Sequence, residues 1–145
     1  MTAALRHTGI VVQNLNRMLE FYTSHFGCSV SRQSDERGDY LDNMLALDDV
    51  SVMTVKLSVP GGGMLEFLKF SNPDVVDTGQ RYPNDSGITH VAFTVDNLDQ
   101  TYGSLVSDGV KFMAPPQLSP DGAAKVTFCR DPEGNLLELV EVLLN

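Results

Sequence analysis

A ten-residue pattern occurs twice in this chain, offset by 83 positions, and it constrains the fold more than any other feature of the sequence. His7 opens His-Thr-Gly-Ile-Val-Val-Gln-Asn-Leu-Asn, and His90 opens His-Val-Ala-Phe-Thr-Val-Asp-Asn-Leu-Asp. In each copy a run rich in β-branched residues ends at an Asn-Leu pair, Asn14-Leu15 and Asn97-Leu98, which reads as a strand leading into the capped start of a helix. Apolar residues then recur every three or four positions, at Met18, Phe21, Tyr22 and Phe26 and at Leu98, Tyr102, Leu105 and Val106, as an amphipathic helix requires. Gly27 and Gly109 close the two helices.

Strand-like segments follow each helix. Val50 to Val59 and Met64 to Phe70 flank Gly61-Gly62-Gly63 as the arms of a hairpin. Lys125 to Arg130 and Leu136 to Leu143 flank the turn Asp131-Pro132-Glu133-Gly134-Asn135 in the same way. Each half is therefore a strand, a helix and about three further strands. The chain is expected to be one domain over 1–145, with a first module at about 4–71, a polar linker at about 72–86 and a second module at about 87–144. Halves of this size, each with an open sheet face, need one another to bury a core.

Strand alternation places His7 on one face with Gly9 and Val11, and His90 with Ala92 and Thr94; Val91, Phe93 and Val95 form an apolar back. Glu66 shares a face with Met64, Leu68 and Phe70, and Glu138 with Leu136 and Val140. A lone carboxylate on such a face costs several kcal/mol, on the order of the penalty for an unpaired buried charge. A shared cation resolves this. His7, Glu66, His90 and Glu138, one His and one Glu per half, form a nitrogen and oxygen donor set suited to one divalent ion among nickel, cobalt, zinc, manganese and iron. The third histidine, His25, lies on the first helix beside Phe26, outside this pattern.

With 42% hydrophobic residues in 145, the chain can bury a core without staples. Two cysteines in different modules point to reduced thiols and a cytoplasmic protein, and no apolar run is long enough to span a membrane. A net charge of -9 argues against nucleic acid and anionic membrane surfaces. It also disfavours an anionic substrate unless the ion and a local basic cluster compensate; Arg6, Arg32, Arg37, Lys69 and Arg81 are the candidates for such contacts. Gly61-Gly62-Gly63 has neither the Lys-Ser/Thr nor the helix of a phosphate loop.

Nearly the whole chain resembles the vicinal oxygen chelate superfamily, in its glyoxalase I and methylmalonyl-CoA epimerase branch. The resemblance is carried by Leu-Arg-His-Thr-Gly-Ile-Val-Val, Glu20-Phe21-Tyr22, Met-Leu-Glu-Phe-Leu around Glu66, Ile-Thr-His-Val-Ala-Phe-Thr-Val and the closing Asp-Pro-Glu-Gly-Asn-Leu-Leu-Glu-Leu-Val-Glu. It implies an α+β fold of two tandem βαβββ modules whose mixed sheets curl into a half-open cup around the metal, in a homodimer. It further implies an isomerase or lyase that removes a proton next to a carbonyl through an enediolate. His7 and His90 would hold the ion, and Glu66 and Glu138 would move the proton. Members that use glutathione carry Arg and Asn where this chain has Val11 and Phe70. Val11, Met64, Leu68, Phe70, Thr94 and Val140 instead offer a fairly apolar pocket for a carbonyl-containing organic acid or ketone. Two other functions share the scaffold: an iron-dependent dioxygenase using His7, His90 and Glu138, and a metal-free protein that binds a drug or metabolite without turnover.

Overall fold

The computed structural model describes residues 1–143, so the expected end of the second module at position 144 lies outside the described residues. The chain divides into two compact units, Met1–Thr78 and Gly79–Asn145, with the division inside the segment read as a linker.

In the first unit, β1 (Thr8–Val11) leads into α1 (Leu15–Phe26). The Asn14 side chain accepts a hydrogen bond from the Arg17 amide at the helix start. Gly27 ends the helix in the left-handed region at φ 63°, which a residue without Cβ adopts at no steric penalty. β2 (Ser29–Arg37), a short α2 (Asp39–Leu45), β3 (Ser51–Ser58) and β4 (Met64–Asn72) follow. The sheet order is β1-β4-β3-β2, with β1 parallel to β4 and the remaining pairs antiparallel.

Alternation along β4 sets the two faces of this sheet. Leu65 and Phe67 are buried on one side with Val55 and Leu57 of β3. There Phe67 meets Tyr22 of α1 edge-on, with ring centroids 5.2 Å apart. Met18 and Tyr22 have no exposed surface, so the apolar stripe of α1 is what covers this side. Met64, Glu66, Leu68 and Phe70 occupy the other side and are only half-buried.

The second unit repeats the order with β5 (His90–Thr94), α3 (Leu98–Ser107), the short β6 (Gln117–Leu118), β7 (Ala124–Arg130) and β8 (Leu136–Val142). Its sheet runs β5-β8-β7-β6, again with the first strand parallel to the last. Asn97 caps α3 by accepting from the Gln100 amide, and the Glu141 carboxylate accepts from the Leu98 amide. The Asp131 side chain accepts from the Glu133 and Asn135 amides and from the Asn135 side chain, which fixes the β7–β8 turn. The two four-stranded mixed sheets with their helices constitute the expected α+β fold.

Two features were not expected from the sequence. α2 has no side-chain cap at Gly38, yet it buries Leu41 against Val50 and Val52, with Leu68 and Phe70 packed on the same cluster. Asp42, in the first turn of α2, ties the helix to the residues before β3 by accepting from the Asp49 and Val50 amides. In addition, β6 has only two residues, so the fourth strand of the second sheet is much shorter than β2, its counterpart in the first. Both cysteines are free and buried. Burial, and after it the charge of Asp131, pushes the Cys129 thiol up to about 12; burial alone raises that of Cys28.

Candidate metal centre

The parallel pairing of first and last strand positions the four candidate ligands two by two. In the first unit Gly9 stands opposite Glu66, which leaves His7, two residues earlier, diagonal to the carboxylate. In the second, Ala92 stands opposite Glu138 and His90 takes the same diagonal place. The neighbour between His and carboxylate is small in both units, so the imidazole has room to reach across the strand pair. His7 Nε2 lies 3.7 Å from Glu66 Oε1, and His90 Nε2 lies 3.3 Å from Glu138 Oε2. Two donors each about 2.1 Å from a common ion are about 3.0 Å apart at a right angle and about 3.4 Å at a tetrahedral one. The His90–Glu138 pair has the span of neighbouring ligands to one cation, and the His7–Glu66 pair exceeds it by about 0.3 Å.

The chemistry of the donors supports the same assignment. Glu66 keeps 14% of its side chain exposed and Glu138 25%, so neither carboxylate is freely hydrated. His90 Nδ1 lies 2.9 Å from the Thr89 hydroxyl. With the proton on Nδ1, that contact is a hydrogen bond donated to Thr89, and Nε2 turns a lone pair toward Glu138, an arrangement that a cation between them stabilises. His7 Nδ1 is buried without a hydrogen-bond partner among the described residues. A buried unpaired nitrogen costs about 1–3 kcal/mol, and an ion at Nε2 beside Glu66 would leave this one unpaired.

Among the described residues no three His, Cys, Asp or Glu side chains are grouped to hold an ion; each unit by itself presents one His–Glu pair. Glu138 is on β8, an interior strand of its sheet. His25 packs its ring against Phe21, with centroids 5.0 Å apart.

The expected substrate contacts fall on the same faces as the pairs. Val11 is exposed opposite Leu68, while Met64, Leu68 and Phe70 are half-buried. Thr94 is exposed opposite the half-buried Val140. Leu68 and Phe70 pack against the buried cluster of Leu41, Val50 and Val52, and the Asp42 carboxylate is occupied with backbone amides.

Two further residues border the pairs. Lys56 stands opposite Glu66 in the β3–β4 ladder, and its Nζ is 3.7 Å from Glu66 Oε2. Phe128 holds the equivalent place opposite Glu138, and its ring meets the His90 ring edge-on at 5.3 Å. The hairpin around Gly61-Gly62-Gly63 carried the signal for Lys56, since counting back along its arms pairs position 56 with 66.

A family profile described as the Glyoxalase/Bleomycin resistance protein/Dioxygenase superfamily matches residues 4–139, and the chain belongs to that superfamily. Among curated proteins, glyoxalase I of Saccharomyces cerevisiae is 30% identical over 149 residues, covering 96% of this chain and 45% of the yeast protein. Lactoylglutathione lyase of Schizosaccharomyces pombe is 32% identical over 147 residues, covering 96% of this chain and 47% of that protein. The chain thus spans about half the length of both relatives. Among solved structures, a glyoxalase family protein from Bacillus cereus superposes with a TM-score of 0.88 at 21% identity, over 99% of this chain and 97% of that one, a likeness of fold.

Proposed function

We propose that the chain is a metal-dependent lyase or isomerase that removes a proton from the carbon next to a carbonyl group. The observation that carries this reading is the repeated register: each unit sets a His diagonal to a Glu across its parallel strand pair, with donor atoms 3.7 and 3.3 Å apart. His7, Glu66, His90 and Glu138 together would hold one divalent ion, the two pairs meeting within one chain or between two copies of a homodimer. When bound, the ion stabilises negative charge that develops on the carbonyl oxygen of a substrate.

The residues of the chain supply the rest. Glu138 and Glu66 are the groups that take and return the proton. A positioned base alone contributes about 10²- to 10⁴-fold, well short of the 10⁶-fold or more typical of enzymes, so proton transfer and charge stabilisation must act together. Val11, Met64, Val140 and the exposed parts of Leu68 and Phe70 offer apolar surface to the organic portion of the substrate and displace water from the carboxylates. Thr94 adds a hydroxyl on the same face. The names of the two yeast relatives support a lyase of this kind.

Elemental analysis of the purified chain, stripped and reloaded with nickel, cobalt, zinc, manganese or iron, tests the reading. The expected result is about one ion per chain, lost in both His7→Ala and His90→Ala. A wild-type chain that retains no ion overturns it in favour of a binding protein without turnover. The ion pair of Glu66 with Lys56 favours one second reading, an iron-dependent dioxygenase in which Glu66 stands outside the ligand set. Retention of iron by Glu66→Ala, with loss in His90→Ala, would select it.

A further inference from the structure

The two halves of the candidate centre are alike in their ligands but unlike in what flanks them. Opposite Glu138 stands the uncharged ring of Phe128; opposite Glu66 stands Lys56, with only 24% of its side chain exposed. The Lys56 ammonium lies 3.7 Å from the carboxylate, beyond hydrogen-bonding distance. Arg32 of β2 is the residue directly opposite Lys56 on its other side, so β4, β3 and β2 carry Glu66, Lys56 and Arg32 in one row on one face. The Arg32 Nε donates to the Ser34 hydroxyl, a neutral partner. Like charges placed directly opposite on a sheet are destabilising. Glu36, further along the same face of β2, accepts from the Thr54 hydroxyl; the Glu66 carboxylate alone does not neutralise the two cations beside it, and less of its charge remains available once it is shared with a metal. In a chain of net charge -9, two adjacent cations beside a candidate ligand form the local basic cluster that an anionic substrate needs.

We infer that Lys56, supported by Arg32, binds a carboxylate of the substrate, so that the site selects an organic acid whose carboxylate lies within a few bonds of the reacting carbonyl. The substrate is bound with its acidic end toward β3. This inference rests on the proposed function for the carbonyl chemistry, but the anion contact itself belongs to residues of the first unit alone.

The probes are pyruvate and its neutral isostere pyruvamide, compared by the shift each produces in the unfolding midpoint over a concentration series, with the chain both metal-stripped and metal-loaded. The expected result is apparent binding of pyruvate about tenfold tighter than of pyruvamide, as charge-assisted hydrogen bonds exceed neutral ones. That preference should disappear in Lys56→Gln, persist in Lys56→Arg and fall partway in the exposed Arg32→Gln. Absence of a preference in the wild type, its survival in Lys56→Gln, or an equal weakening of both probes in that variant overturns the inference. Should Lys56→Gln fail to fold, an unchanged preference in Arg32→Gln does the same. Metal content of the reloaded samples reports separately: a chain that takes up no ion on reloading and still shows a Lys56-dependent preference sinks the metal reading and leaves this one standing.

Discussion

At the scale of single residues, the face a side chain shares with its neighbours decides its chemistry. Glu138 lies on an interior strand between Ala92 and Phe128, with His90 in reach. Glu138→Gln keeps size and shape but removes the base, so turnover of the true substrate should fall by at least about 10²-fold while the unfolding midpoint of the metal-stripped chain is nearly unchanged. Steady-state rates beside a melting curve check both halves of that statement. Cys129 makes a different prediction, one of stability against pH. Its thiol is raised from the ordinary 9.0 to about 12 by burial first and Asp131 second, so the native state holds a proton that the unfolded chain has lost. Stability from this group is complete below pH 9 and declines as pH rises toward 12. Urea unfolding should show a falling stability over that window, with a shallower slope in Cys129→Ala despite the lower starting stability of that variant.

Elements were legible in the sequence to the extent that their signals were local. The Asn14 and Asn97 caps, the 3–4 spacing on α1 and α3 and the turn residues between strands are written in short stretches, and each of those elements forms. Replacing Asn14 or Asn97 by Ala should cost about 1 kcal/mol each in chemical denaturation. α2 was not legible, because Tyr40, Leu41, Met44 and Leu45 recur at spacings of three and four over only seven residues, too short a run to mark a helix, and Leu41 alone among them is buried. Its stability comes instead from packing on Val50, Val52, Leu68 and Phe70 and from the Asp42 bonds to the next strand. Leu41→Ala should lower stability by about 2–5 kcal/mol, measured by urea titration. The register that pairs Lys56 with Glu66 was implicit in the hairpin but shows only when the arms are counted residue by residue.

For the whole molecule, the duplication carried the fold. Two copies of one strand-helix-strand plan predict two like sheets, and the superfamily match and the likeness to the Bacillus cereus structure agree with that plan. The candidate site was legible for the same reason: a His and a Glu recur at matching places, which neither half would reveal alone. The cations beside Glu66 were harder to see, because nothing in the second half repeats them. If the two pairs share an ion, stability of the whole chain becomes linked to metal. At about a hundredfold excess of free ion over its dissociation constant the gain is about 2.7 kcal/mol, and a chelator should reverse it in a thermal scan. The same linkage makes the midpoint depend on metal concentration, which distinguishes binding from a fixed structural effect.

Each pair also joins two backbones of unequal persistence. Glu66 and Glu138 ride on strands with ladders along both sides, whereas His7 adjoins and His90 opens a strand of at most five residues at the outer position of its sheet. Amide hydrogens of β4 and β8 should therefore exchange last in their units, and those of β1 and β5 sooner. A bound ion would then have an exit that leaves the helix-backed core intact: peeling a short outer strand withdraws the imidazole while the carboxylate stays in place. Exchange of one ion for another would proceed faster than unfolding.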